Sequence, residues 1–388
     1  MSARDPVDGL GRVLHGPGDT SEAFQVKIAA MTRWNALCGG SVHAELIGRA
    51  WVDMGHTLRV LAPLEAGASL ADEDEPYVRR CFELKKNGEL LFDQAPFLEE
   101  PYDMFVVEHC GGLPMADLLE IYPYIKEMTK TVLVFHEGGP PKDPSFYRFT
   151  WDAVVCFDER YKRFLATIYP KDVIKIIPYP CHPIVHGDKR TARLRLGLPL
   201  DTKIVFNYGL NVFKHLHLLP TMERLSQQYP LIFLTVTDIA GWFDLFEAVK
   251  GRYGFVELRR EAVSSDLLYS YLHASDALIY HKDSTEAVVV PSTCYVCFGS
   301  GCPILAYGTN FVEALGQEVI RYRHLGELAE RLSDVFEDKE NVRLSLRAAA
   351  EHARENSNLR IARRFAELFE SLTTVAGQRR RRSRRAAA

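Results

Sequence analysis

Twice along this chain, short apolar runs rich in Val, Ile and Phe alternate with segments of helical period, and Pro178-Tyr-Pro-Cys-His-Pro183 separates the two series. Such alternation is the pattern of parallel sheets built from strand-helix-strand units. The first series offers strands at Val26–Met31, Leu58–Ala62, Met104–Val107, Val132–Phe135, Ala153–Cys156 and Val173–Ile177. The second offers Lys203–Tyr208, Leu231–Val236, Gly254–Glu257, Asp276–Tyr280 and Pro303–Ala306. Between the series each proline removes a backbone donor and biases its predecessor away from the helix region, which marks a domain boundary. The expected fold is α/β, with two doubly wound parallel sheets facing a cleft.

A chain of 388 residues is too long for one ordinary core, which agrees with two domains. The expected division is a mobile tail over 1–25, a first domain over 26–180 and a second over 181–357, then a helix over 358–373 and a disordered Arg-rich tail over 374–388. That helix is amphipathic, with Ile361, Phe365, Leu368 and Phe369 on one face. Between residues 63 and 100 the acidic cluster Asp72-Glu-Asp-Glu75 and scattered prolines point to a surface excursion with little regular structure.

No apolar run approaches the ~20 residues needed to cross a bilayer, and Met1–Gln25 has no apolar signal core. A cytoplasmic protein is expected. The formal charge of −4 hides an asymmetry, because six arginines between Arg379 and Arg385 leave about −10 for the rest. An acidic body argues against a specific nucleic-acid partner, while the Arg tail suits weak contact with an anionic membrane at its inner face. The eight cysteines sit mostly inside apolar runs and read as buried thiols. Cys294-x-x-Cys297 with Cys302 lacks a second Cys or His pair at zinc-site spacing, so no metal is expected.

Several constellations point to a phosphate-bearing ligand. Cys38-Gly-Gly-Ser41 lies between a strand and a helix, where bare backbone at Gly39 and Gly40 can approach a phosphate. It lacks the Gly-x-Gly-x-x-Gly spacing of a dinucleotide site, which removes support for hydride chemistry. His136 ends the strand Val132–Phe135 at the sheet edge where ligands collect, and Glu108 and His109 end the preceding strand as weaker candidates. Asn207-Tyr-Gly-Leu-Asn-Val-Phe-Lys214 turns at Gly209 and carries a lysine that can neutralise a leaving phosphate. Pro291 suits a first helical turn, with the Ser292 and Thr293 hydroxyls beside its N–H groups. Glu286 just upstream is poised for a ribose or sugar hydroxyl, and Asp238 and Glu257 end strands where a base or ribose could lie.

Taken together, the Gly-Gly loop, Gly55-His-Thr-Leu-Arg-Val-Leu-Ala-Pro63, His136, Trp151-Asp-Ala-Val-Val155, Ile177-Pro-Tyr-Pro180 and Gly209–Lys214 resemble the retaining GT-B glycosyltransferases of the group 1, family 4 type. The resemblance covers residues 26 to 372. It implies two Rossmann-like domains closing on a nucleoside-diphosphate sugar, with the acceptor on the first domain, the donor on the second and a final helix crossing back. It further implies Gly40 near the donor phosphate and acceptor, His136 near the transferred sugar and Lys214 on the diphosphate. Two positions depart from the family pattern. Leu210 stands where an arginine commonly follows the turn glycine, and Val296 stands where the second of two glutamates belongs. Glu286 matches the first glutamate only with about two residues inserted.

The activity so implied is hexosyl transfer to a hydroxyl of a glycan, lipid or small molecule, with retention of anomeric configuration. Departure of a diphosphate needs no metal when cations and helix dipoles offset its charge, so no cofactor is expected beyond the donor substrate. The missing arginine and glutamate favour an alternative, a catalytically inactive GT-B-like protein that binds a sugar nucleotide or a partner glycosyltransferase.

Overall fold

The computed structural model describes residues 24–65, 72–84 and 91–386, with side chains as far as Thr374. Most of the expected N-terminal tail lies outside the described residues. Thirteen described strands form two sheets in which every ladder is parallel. The first sheet contains β1 (Lys27–Met31), β2 (Thr57–Pro63), β3 (Val78–Phe82), β4 (Met104–His109), β5 (Lys130–Phe135), β6 (Ala153–Cys156) and β7 (Ile174–Ile176), in the order β3-β2-β1-β4-β5-β6-β7. The second contains β8 (Lys203–Tyr208), β9 (Leu231–Val236), β10 (Val256–Arg259), β11 (Ala277–Tyr280), β12 (Ile304–Tyr307) and β13 (Ile320–Tyr322), in the order β10-β9-β8-β11-β12-β13.

Helices cover both faces. They are α1 (Gly39–Asp53), α2 (Ala95–Leu98), α3 (Met115–Met128), α4 (Glu159–Leu165), α5 (Lys189–Leu196), α6 (Leu219–Ser226), α7 (Ala240–Lys250), α8 (Ser265–Ala274), α9 (Ser292–Cys297), α10 (Leu325–Phe336), α11 (Glu340–Glu355) and α12 (Asn358–Ala386). Because a strand sends successive side chains to opposite faces, a doubly covered strand must be apolar throughout. In the second sheet Val205, Phe233 and Leu305 fill one face, while Phe206, Leu234 and Ile304 fill the other.

Two strands occur where the sequence suggested none. β3 lies in the segment expected to lack regular structure, and β13 follows the last expected strand. Both are edge strands, and arginines interrupt their apolar pattern: Arg80 donates to Asp74 at 2.7 Å and to the Pro63 carbonyl at 2.7 Å, and Arg321 donates to the Val312 carbonyl at 2.9 Å.

The chain passes between the sheets twice, side by side. Cys181 N–H donates to the Asn356 carbonyl at 2.7 Å, and Asn358 N–H donates to the Cys181 carbonyl at 3.1 Å. α12 then packs on α1 of the first sheet, burying Ile361, Phe365 and Phe369. Trp51 of α1 donates through Nε1 to the Ala362 carbonyl at 3.3 Å, and its ring lies 5.6 Å from that of Phe365. The α12 backbone runs on to Ala386, consistent with the good helix propensity of arginine. No helix among the described residues is long and apolar enough to cross a membrane.

Candidate nucleotide-sugar site

Strand order reverses between β1 and β4 in the first sheet and between β8 and β11 in the second. At such a switch point the flanking connections leave to opposite sides and open a crevice beyond the carboxyl ends of the strands. A cavity of about 340 Å³ lies between the two sheets, lined by Cys38, Gly39 and Val42 on one side and by Gly209, Asp238, Lys282, Ser292 and Thr293 among others on the second. Here α1 comes close to α9: a Cβ placed on Gly39 would stand 3.0 Å from Ser292 Oγ.

The loop after β8 requires glycine, because Gly209 has φ of +102°, a left-handed conformation that side chains disfavour. Thr237 pins this loop by donating from Oγ1 to the Gly209 carbonyl at 3.1 Å, while Gly209 N–H donates to the Val236 carbonyl at 3.1 Å. The bare turn and Asp238 thus share one wall.

Lys282, two residues beyond β11, brings a cation into the cavity. Among the described residues it forms no ion pair, and its ammonium lies 5.9 Å from the Tyr280 ring centroid. Burial pulls its pKa below the ordinary lysine value, and repulsion from Lys214 adds to this. An anion in the cavity would relieve both penalties. Lys214 itself is outside the lining: it sits in a tight helical turn, Val212–Leu218, with Nζ 3.1 Å from Asp283.

α9 differs from expectation in one respect. It spans six residues, Pro291 is its N-cap, and Ser292 N–H already donates to the Val290 carbonyl at 2.8 Å. Cys294 N–H donates to the Pro291 carbonyl at 2.9 Å. The tight turn therefore consumes two of the N–H groups expected near a phosphate, and Ser292 and Thr293 of α9 both line the cavity. Glu286 is exposed outside this lining, and Glu257 stands on edge strand β10 with its carboxylate 3.8 Å from Arg259.

On the first sheet, His43 of α1, Glu108 of β4 and His136 after β5 meet in a buried cluster. His136 Nε2 is 2.6 Å from Glu108 Oε2, and His43 Nδ1 is 3.1 Å from the same oxygen. Burial alone would raise Glu108, but the His43 and His136 imidazoles outweigh it and hold the carboxyl down to about 2. Burial lowers His136 while Glu108 draws it back up. These three residues have a donor set able to hold a metal ion; the 2.6 Å separation is that of a short charge-assisted hydrogen bond. His136 does not line the cavity, but its ring carbon Cγ lies 4.0 Å from where a Cβ on Gly40 would stand. His109 is turned elsewhere, stacked on Phe135, and burial brings its pKa to about 4.

Of the residues singled out in the sequence, Gly39, Gly209, Asp238, Ser292 and Thr293 thus line one cavity, with Gly40 and His136 close by; Lys214, Glu257 and Glu286 lie outside the lining. Sequence reasoning missed Lys282 and His43. Lys282 carried a usable signal, the strand-end position that had singled out His136.

No family model matches the sequence. Among solved structures, the chain is similar to a glycosyltransferase from Rickettsia africae, with a TM-score of 0.65 and 14% identity over 90% of this chain and 99% of that one. A sucrose-phosphate synthase from Thermosynechococcus elongatus gives a TM-score of 0.64 at 13% identity, over 90% and 99% of the two chains. The Anabaena protein HepE, in complex with UDP-glucose, gives 0.61 at 14% identity, over 89% of this chain and all of that one (100%). The two parallel sheets, the cavity between their switch points and the returning α12 together have the GT-B fold of these glycosyltransferases.

Proposed function

We propose that this protein transfers a sugar from a nucleoside-diphosphate sugar to an acceptor hydroxyl. The observation that carries this reading is Lys282, a half-buried cation with no ion pair among the described residues, which lines with Ser292 and Thr293 a cavity at the meeting of two switch points. A diphosphate fits that position: Lys282 and the two hydroxyls would hold its oxygens, and the bare backbone at Gly209 leaves room for them. Lys214, beside Lys282, adds positive potential and could exchange its exposed Asp283 partner for phosphate at little cost. Asp238 on the same wall would accept from a ribose or base. The structure with bound UDP-glucose among the similar folds makes a uridine donor the first choice.

Catalysis in this account is mostly electrostatic. As the bond to the sugar breaks, negative charge grows on the departing diphosphate, and fixed donors and cations in a water-poor cleft stabilise it without reorganising. His136, near Gly40, would orient the transferred sugar. The acceptor approaches from the first sheet and passes its proton to the leaving phosphate, which gives retention and requires no metal. The same chemistry is open to glycan, lipid and small-molecule acceptors, and the arginines after residue 378 would favour an anionic membrane surface nearby. We further propose that the protein works in the cytoplasm.

A second reading has its own observation. Val296 lines the cavity, placing an apolar side chain at the position where the family resemblance calls for a glutamate. A protein that binds the donor without turnover would tolerate that loss. Release of UDP from UDP-glucose, followed with and without a panel of hydroxyl acceptors and in the presence of EDTA, separates the readings. Acceptor-dependent release that survives EDTA and yields the retained anomer supports transfer; donor binding without release supports the inactive form.

A further inference from the structure

The segment from Asp283 to Pro291 joins β11 to α9, and so connects Lys282 in the cavity to Ser292 and Thr293 in the same cavity. It belongs to the second sheet by chain order, yet it docks on the first. Val288 N–H donates to the Gly138 carbonyl at 2.9 Å, and the Val288 carbonyl accepts from the Tyr161 hydroxyl at 3.3 Å. The Val289 carbonyl accepts from Arg160 at 3.0 Å. Val288 and Val290 pack on the core of the first sheet. Backbone polar groups taken from water must find partners, and here those of Val288 and the Val289 carbonyl find theirs across the cleft.

An approach this close requires glycine. A Cβ on Gly138 would overlap the Val288 carbonyl oxygen and stand 2.8 Å from Ala287 Cβ. Gly138 follows His136 by two positions, so the loop that begins at the histidine cluster is the one that receives the segment.

Arg160 of α4 ties the parts together. Asp158, the N-cap of α4, accepts from its Nη2 at 2.7 Å and orients the guanidinium. Its Nη1 lies 2.6 Å from Glu313, next to the tight turn Asn310–Val312. Asn310 in that turn donates from Nδ2 to the Thr285 and Ala287 carbonyls at 2.8 and 3.0 Å, and its Oδ1 accepts from Thr285 N–H at 3.1 Å. One guanidinium therefore grips both the segment and the turn that shapes it. Its planar fork reaches acceptors in fixed directions, which a lysine ammonium does not. The ion pair with half-exposed Glu313 contributes little alone, and the bonds hold by acting together.

We propose that Gly138, Arg160 and Tyr161 are positioning residues for the donor site: they clasp the 283–291 segment to the first sheet and so set Lys282, Ser292 and Thr293 in the geometry that takes a diphosphate. None of the three lines the cavity, so they act through the segment. Where only the clasped fraction of molecules binds, the apparent affinity falls in proportion to that fraction. This consequence for the donor rests on the function proposed above; the clasp does not.

The test compares the full chain with Arg160→Ala, Arg160→Lys and Gly138→Ala by hydrogen exchange and by calorimetry with UDP-glucose. In Arg160→Ala and Gly138→Ala the peptide over 283–291 should exchange about tenfold faster or more, with the central strands β4 and β8 unchanged. UDP-glucose should restore its protection. Donor Kd should rise about tenfold in both, the loss expected when about a tenth of the molecules are clasped. Arg160→Lys, which keeps the charge without the fork, should fall between the wild type and Arg160→Ala. Gly138→Ala leaves Arg160 in place, so a folding defect in Arg160→Ala does not hide the answer. Equal protection of the segment in the wild type and Gly138→Ala would overturn the clasp. Faster exchange with unchanged Kd would overturn the positioning role. If the wild type binds no UDP-glucose, the proposed function fails, and hydrogen exchange still decides the clasp.

Discussion

Glu108 bridges two histidines inside a cluster that brings together α1, β4 and the end of β5: its Oε2 lies 2.6 Å from His136 Nε2, and His43 Nδ1 lies 3.2 Å from Oε1 and 3.1 Å from Oε2. With one His136 nitrogen committed to the carboxylate, the orientation of the ring is fixed by a residue that does not line the cavity. Glu108→Gln removes the charge and offers an amide in its place. The expected outcome is a fall in kcat of about 10- to 100-fold, the scale seen when the partner of a functional histidine is lost, with donor KM nearly unchanged. An unaltered kcat in steady-state transfer assays would remove Glu108 from the account.

Lys282 and Lys214 separate the account from the family resemblance. Lys282 lines the cavity with no ion pair among the described residues, whereas Lys214 is held by Asp283. Lys282→Ala should weaken donor binding by about 1.5–3 kcal/mol, roughly tenfold to a hundredfold, as expected for a lost charge-assisted hydrogen bond. Lys214→Ala should weaken it less. Calorimetric titration of both variants with UDP-glucose checks the order, and a larger loss at Lys214 would reverse the assignment.

Acid should destabilise the fold well before its carboxylates are neutralised. Burial brings His109 to about 4 and His215 to about 3, so both stay neutral in the native state at pH 5. In the unfolded chain they take up protons near 6.5. The unfolded state then binds more protons, and stability falls as pH drops from about 6.5 toward 4, by about 1.4 kcal/mol per pH unit for each histidine. Glu108 acts in the same direction at lower pH: its contribution is present above 4.5 and is lost as pH falls through about 2. Urea midpoints should therefore be lower at pH 5 than at pH 7. Equal midpoints would show that these imidazoles are not neutral and buried.

The returning helix should be held chiefly by Phe365, which is fully buried against Trp51 and within 6.1 Å of the His43 ring. Phe365→Ala is expected to cost about 3–5 kcal/mol in urea unfolding, the usual range for deleting a buried aromatic. Leu359→Ala, at a side chain 38% exposed on the same helix, serves as the control and should cost far less. Similar losses at the two positions would place the packing face elsewhere.

The central strands were legible in the sequence because burial on both faces demands unbroken apolar runs, as in Val132–Phe135 and Leu231–Val236. β3 and β13 escaped because edge position lets Arg80 and Arg321 interrupt that pattern. In the site, Gly209 and Ser292 were legible through turn chemistry and position. The His43–Glu108 contact was not, since it joins residues 65 apart whose meeting depends on β1 and β4 being neighbours. Lys282 matters only once β11 is known to flank β8. The loss of free N–H groups at α9 depends on the backbone angles at Pro291, which residue type alone leaves open.

A nucleoside-diphosphate sugar is proposed to occupy the cavity between the two switch points. The most direct measurement is the melting temperature of the protein against UDP-, GDP-, ADP- and TDP-linked sugars and their free diphosphates, repeated on Lys282→Ala. A ligand bound only by the folded state at a hundred times its Kd adds about 2.7 kcal/mol. The expected result is a selective rise with a UDP-linked sugar and with UDP, sharply reduced in Lys282→Ala. No rise with any nucleotide, or an equal rise in the variant, would contradict it.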